Sequence, residues 1–252
     1  MSRSGRITCT LLCLACVAAW WCRDLGQPAE VPQYESAVKA YDALDKQNPP
    51  PQEGIVCLGS SSINGWQQTV AADLAPLHVI SRGLPGSTMA DAVQYVDRLV
   101  LRYHPRAVVL YNGDNDIADG ASPVAIRDAF NAFADAVHAK LPETRVYVIS
   151  IKPSPGRWHL WSKMAKTNAL LREACARDKR LAFIDVASKM LDAHGRCRED
   201  LFRPDHIHMN ARGYRVWGET LRPVLLSHHR KLAPAPAPVA QDDLLDDQPE
   251  LN

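Results

Sequence analysis

Ala107-Val108-Val109-Leu110-Tyr111 is apolar at every position and stops at Asn112-Gly113-Asp114-Asn115-Asp116. A strand with one wet face alternates apolar and polar residues, so an unbroken apolar run is covered on both sides. That marks a central strand of a parallel sheet. Four other short runs rich in β-formers read as strands: Ile55–Leu58, His78–Ser81, Val146–Ile151 and Leu181–Val186. Longer stretches with helical spacing lie between them. One runs from Met89 to Tyr103 behind a Thr88 cap. Another starts at Ser122-Pro123 and continues to about Lys140, with Ile126, Phe130, Phe133 and Val137 on one stripe. Strands alternating with helices predict an α/β domain with five parallel strands and helices on both faces.

The two ends read differently from this middle. Arg3 and Arg6 precede the uncharged run Ile7 to Cys22. A basic start followed by an apolar stretch predicts a signal peptide or membrane anchor over 1–22. In a bacterium the destination is the periplasm, or the inner membrane facing it. Residues 23–53 read as a polar linker and an amphipathic helix, Tyr34 to Gln47, ended by Asn48 and three prolines. The domain is expected over 54–227. Residues 228–252, rich in Ala, Pro and acidic residues, are expected to form a disordered tail. The formal net charge of +1 gives no reason to expect a nucleic-acid partner. Four of the seven cysteines lie in the first 22 residues, which leaves Cys57, Cys175 and Cys197. Three thiols make no disulfide framework, although Cys175 and Cys197 are a conceivable pair.

Polar clusters follow the first three strands: Gly59-Ser60-Ser61-Ser62-Ile63, Arg82-Gly83-Leu84-Pro85-Gly86-Ser87-Thr88, and Gly113-Asp114-Asn115-Asp116. A fourth, Asp205-His206-Ile207-His208, precedes a last helix expected from about Asn210 to Leu226. The carboxyl ends of parallel strands share one edge of a sheet, so the first three loops meet there. Ester cleavage needs a nucleophile, a base, a group that orients the base, and donors for the oxyanion. Ser61 offers the nucleophile and a backbone N–H. His208 offers the base, and Asp205 is close enough on a turn to hold its imidazole. Gly86 can bring its N–H close to a substrate because it has no side chain, and Asn115 offers an amide. Other readings stand beside these. Ser60 or Ser62 is a possible nucleophile and His206 a possible base. Ser61 can serve only as a helix cap, and Gly86 and Asn115 only as turn residues. Asp205, His206 and His208 are metal-ligand types, but no second cluster completes a set. Arg82 and Asp116 receive no chemical step. Trp158 and Trp161, in a loop over 152–161, either line a cleft or pack inward.

In this order the four clusters resemble the SGNH hydrolases, the GDSL-type esterase and lipase superfamily. Gly59-Ser60-Ser61 is similar to the family's Gly-Asp-Ser block, and Arg82 to Gly86 to its second block, with the glycine at Gly86. Gly113 to Asp116 is similar to Gly-x-Asn-Asp, and Asp205 to His208 to the final Asp-x-x-His. The resemblance covers about residues 54–226. It implies a flavodoxin-like three-layer α/β/α sandwich, no metal or other cofactor, and cleavage of esters or thioesters through an acyl-serine. The implied catalytic residues are Ser61, Asp205 and His208. The implied oxyanion donors are Ser61, Gly86 and Asn115. The implied substrate is a small-molecule or lipid acyl ester, or alternatively an O-acetyl group on an envelope glycan. A non-catalytic binding module on the same fold is the other alternative, because Ser60 stands where the family has Asp.

Overall fold

A computed structural model describes residues 33–229. The expectations for 1–22, and for the tail from 230 onward, lie outside the described residues. The described residues divide into two units, 33–39 and 40–229. Helix α1, Glu35–Gln47, begins in the first and ends in the second.

The second unit holds a five-stranded sheet. Strands β1 (Ile55–Gly59), β2 (Val79–Gly83), β3 (Ala107–Tyr111), β4 (Arg145–Ile149) and β5 (Leu181–Ile184) are all parallel, in the order β2-β1-β3-β4-β5. β1 and β3 lie inside the sheet and are buried at every residue, as their unbroken apolar runs require. Ile55, Cys57, Val109, Tyr111, Tyr147 and Ile149 join one core with Trp66, Trp217, Leu221 and Leu225. The alternate residues Val56, Leu58, Val108, Leu110, Val146 and Val148 are equally buried on the other face. The architecture is the three-layer α/β/α sandwich expected from the alternation.

Helices connect the strands. α2 (Ser61–Trp66) and α3 (Val70–Asp73) follow β1. α4 (Met89–Gln94) and α5 (Val96–Leu99) follow β2, α6 (Asp114–Ala118) and α7 (Pro123–Lys140) follow β3, and α8 (Trp161–Cys175) follows β4. α9 (Ala211–His229) closes the described chain. The caps are those the sequence offers. Thr88 and Asp91 form a reciprocal capping box at α4, and the Ser122 hydroxyl accepts from the Ala125 N–H at α7.

Several boundaries differ from expectation. β2 runs on through Arg82 and Gly83 because these pair with Leu58 and Gly59. β4 and β5 stop at Ile149 and Ile184, short of Ile151 and Val186. The helix expected after the serines is split into α2 and α3. The one expected over Met89–Tyr103 breaks after Gln94 and again after Leu99, and ends in a 3-10 turn at Leu101–Tyr103. Its apolar stripe continues through both breaks, so periodicity gives no warning of them. α9 continues to His229, past the expected start of the tail. Arg82 is structural. Its guanidinium is buried against Asp45, donates to the Tyr103 hydroxyl and the Ser81 carbonyl, and lies over the Tyr41 and Tyr103 rings. Cys57, Cys175 and Cys197 are free thiols, so the conceivable Cys175–Cys197 pair is not formed.

Candidate active site

The site is assembled at the carboxyl edge of the sheet. A Cβ on Gly59 would sit 2.2 Å from the Tyr111 carbonyl oxygen, so only glycine lets β1 end so close to β3. The next residue, Ser60, donates its N–H to that same oxygen at 3.1 Å. The Ser60 carbonyl then accepts from Ile63 and Asn64 and starts α2, which leaves the Ser61 N–H without a protein acceptor among the described residues. An aromatic cluster fixes α2 from beneath. Trp66 stacks on Tyr214 with centroids 6.2 Å apart and meets Trp217 edge-on at 5.6 Å. Such pairs add about 0.5–1.5 kcal/mol each beyond the area they bury. Tyr214 donates its hydroxyl to the Ser62 carbonyl at 3.1 Å, and Gly65 has no Cβ to collide with that hydroxyl.

Ser61, His208 and Asp205 form one hydrogen-bonded chain. His208 Nε2 lies 3.1 Å from Ser61 Oγ, and His208 Nδ1 lies 2.9 Å from Asp205 Oδ2. The other carboxylate oxygen of Asp205 accepts the backbone N–H of Ile207 at 2.9 Å and of His208 at 2.8 Å. These two bonds, with the imidazole, hold Asp205 well below the usual carboxylate range. An ionised Asp205 accepts the proton on Nδ1 and so leaves the lone pair of Nε2 facing Ser61. Ser60 and Ser62 are buried, and neither hydroxyl reaches His208. His206 sits at φ +59°, with its ring exposed and bonded to neither Ser61 nor Asp205.

Gly86 and Asn115 stand on neighbouring loops that are tied together. Gly86 takes φ +86°, a conformation suited to glycine, and its N–H has no protein acceptor among the described residues. Asn112 Nδ2 donates to the Ser87 carbonyl at 2.9 Å, and Asn115 Nδ2 donates to the same oxygen at 3.0 Å. Leu84 N–H reaches the Gly59 carbonyl at 2.7 Å, and Met89 N–H reaches Asp116 Oδ1 at 2.9 Å. Asp116 is thus a tie between loops, and burial raises the pKa of its carboxyl.

The structure adds two residues that the sequence reading did not single out. Lys152 is almost fully buried, with Nζ 3.3 Å from Asp114 Oδ2. Arg157 Nη1 lies 3.3 Å from the same oxygen, and Arg157 Nη2 donates to Asn115 Oδ1 at 3.1 Å. The available signal was positional: both bases follow β4 at the edge where the other loops gather. The segment expected as a loop over 152–161 is partly interior, with Lys152 and Ser154 buried and a 3-10 turn over Pro155–Leu160. Trp158 and Trp161 stack on each other at 6.0 Å, and Trp158 is partly exposed. A cavity of about 530 Å³ lies at the opposite edge, by His104, Arg145 and His228, and no residue of the Ser61–His208–Asp205 chain lines it. Among the described residues no His, Cys, Asp or Glu group gathers to hold a metal ion, and no helix is long and apolar enough to cross a membrane.

Comparison with known proteins places this chain in a family. No curated protein matches the sequence. Solved structures with the same fold include a GDSL-like lipase from Bacteroides thetaiotaomicron. It is 19% identical with a TM-score of 0.64, and the match covers 76% of this chain and 98% of that one. A family 3 carbohydrate esterase from Clostridium thermocellum is 16% identical with a TM-score of 0.59, over 71% and 98% of the two chains. A lipase/acylhydrolase from Enterococcus faecalis is 19% identical with a TM-score of 0.56, over 69% and 96%. At these identities the likeness establishes the fold alone. The model of the GDSL-like lipase/acylhydrolase family matches residues 52–216, which include the whole sheet and all four clusters. The chain therefore belongs to the GDSL-like lipase/acylhydrolase family, within the SGNH hydrolases, and is a hydrolase of ester bonds.

Proposed function

We propose that this hydrolase works through an acyl-serine on Ser61, with His208 as base and Asp205 as its orienting acid. The observation that carries the reading is the unbroken chain from Asp205 Oδ2 through both imidazole nitrogens to Ser61 Oγ, at 2.9 and 3.1 Å. His208 Nε2 takes the Ser61 proton as Oγ attacks the acyl carbonyl. The tetrahedral oxyanion accepts from the N–H groups of Ser61 and Gly86 and from Asn115 Nδ2. His208 then hands its proton to the leaving alcohol as the ester C–O bond breaks. Water, activated by the same imidazole, releases the acid and restores Ser61. Intact-mass analysis after a fluorophosphonate probe tests this. One adduct is expected on the wild type, none on Ser61→Ala, and slow labelling on His208→Ala. An adduct that persists on Ser61→Ala overturns the assignment.

For the substrate, the reading favoured is a short acyl group on a bulky hydrophilic alcohol, such as an O-acetylated glycan, over a long-chain lipid ester. The side chains of Asp205 and His208 are 47% and 37% exposed, which leaves room beside Ser61 for a large alcohol. Partly exposed Trp158 offers a flat face of the kind on which a sugar ring stacks. p-Nitrophenyl acetate is expected to be turned over faster than the palmitate ester, and the reverse order favours the lipid. With the basic and then apolar start of the sequence, the reading extends to an exported enzyme, which cell fractionation tests.

A further inference from the structure

Asn115 has three hydrogen-bonding positions to satisfy: one oxygen and two N–H groups. Arg157 Nη2 donates to the oxygen at 3.1 Å, and one N–H is given to the Ser87 carbonyl at 3.0 Å. One N–H is left. The guanidinium is itself held, because Arg157 Nη1 lies 3.3 Å from Asp114 Oδ2, an oxygen also 3.3 Å from Lys152 Nζ. An amide gripped at both ends cannot rotate, and it cannot flip either, since a flip would set Nδ2 against a guanidinium donor. The turn that carries Arg157 is also fastened to the histidine loop: the Gly156 N–H donates to the His206 carbonyl at 2.9 Å.

We propose that Arg157 is a positioning residue of the oxyanion hole, acting through Asn115. It fixes which edge of the amide carries the free N–H. It also polarises the amide, because a charge-assisted bond to Oδ1 draws electrons toward the oxygen and strengthens the N–H as a donor. The proposal rests on the reading of Asn115 as an oxyanion donor. Removing such a donor outright costs about 10²–10³ in turnover, so releasing it is expected to cost a part of that, about 10–100-fold.

The test is steady-state hydrolysis of p-nitrophenyl acetate by the full chain and its Arg157→Ala, Arg157→Lys, Asn115→Ala and double Arg157→Ala/Asn115→Ala variants. Arg157→Ala is expected to lower kcat about 10–100-fold with KM nearly unchanged. Arg157→Lys is expected to recover only part, because one ammonium does not span Asn115 and Asp114 as the planar fork does. The double variant is expected to be no slower than Asn115→Ala, since an effect carried through Asn115 vanishes with it. Losses that multiply in the double variant, a rise in KM alone, or an Arg157→Ala enzyme within twofold of wild type each overturn the proposal. If Arg157→Ala does not fold, Arg157→Lys carries the same comparison in both backgrounds, and losses that multiply there overturn it too. Ser61→Ala separates the two levels. If it is inactive while Arg157→Ala is unchanged, this proposal falls alone. If it is fully active, the reading of the site falls and the proposal with it.

Discussion

Replacing Asp205 by Asn tests the site more sharply than deleting it, because the local geometry dictates how the amide must sit. Asp205 Oδ1 accepts two backbone N–H groups, from Ile207 and His208, at 2.9 and 2.8 Å. Only an oxygen can take that place. The amide nitrogen therefore occupies the position of Oδ2, 2.9 Å from His208 Nδ1. As a donor there, it forces the tautomer with Nδ1 bare and the proton on Nε2, and Nε2 then donates to Ser61 Oγ instead of removing its proton. A wrong tautomer in an intact triad costs on the order of 10³–10⁴ in kcat, or about 4–5.5 kcal/mol of barrier. The fold should hardly notice. The carboxylate is nearly half exposed, and its backbone bonds survive the change. The low pKa of Asp205 contributes stability above the ordinary value of 3.8, lost as pH falls through the lower folded value, so the wild type keeps Asp205 ionised at and above that ordinary value. The assay is kcat and KM for p-nitrophenyl acetate, with thermal denaturation alongside. An Asp205→Asn enzyme that folds and retains kcat within tenfold of wild type would refute the tautomer argument.

The remaining predictions concern stability and the serine register. Asp45→Ala leaves the Arg82 guanidinium buried without its carboxylate, at an expected cost of about 3–5 kcal/mol in urea unfolding; a change below about 1 kcal/mol means that Tyr103 and Ser81 suffice. The His229 ring is buried beside the Tyr147 hydroxyl, and burial lowers its pKa from 6.5 to about 4. The unfolded chain takes up that proton first, so the stabilisation is complete above about 6.5 and is lost as pH falls toward about 4; urea midpoints across that range should fall, and His229→Gln should flatten the slope. Ser60→Ala removes a buried hydroxyl that has no partner, so it should leave stability unchanged or raised and keep fluorophosphonate labelling; loss of labelling would make Ser60 the nucleophile.

The fold was largely legible because burial writes itself into strand composition. A strand covered on both faces has no reason to carry polar residues, and β1 and β3 carry none apart from the glycine that ends β1. The order β2-β1-β3-β4-β5 was not in the pattern itself, because any order of parallel strands gives the same alternation; it came with the resemblance. Helix breaks after Gln94 and Leu99 were invisible for a related reason. The stripe of Ala92, Tyr95, Val96, Leu99, Val100 and Tyr103 suits a straight helix and a kinked one equally.

In the site, what could be read and what could not divide along chain distance. Asp205 and His208 are three residues apart, so a turn alone brings them together and the spacing carries the information. Ser61 and His208 are joined across 147 positions, and only the recurrence of all four clusters pointed to that contact. Arg157 and Lys152 have no such local signature. Each bonds a residue about 40 positions away on another loop, and in the sequence each is one base among many. Ser60 is the converse case. As a departure from Gly-Asp-Ser it raised doubt about which serine reacts, and the surroundings of its side chain bear on that doubt. Gly59 must stay free of a Cβ beneath the Tyr111 carbonyl, Ser60 donates to that carbonyl, and its side chain is then turned into closed protein. The Ser60 hydroxyl is buried without a partner and makes no bond to His208. The first side chain after the turn that meets the imidazole is Ser61.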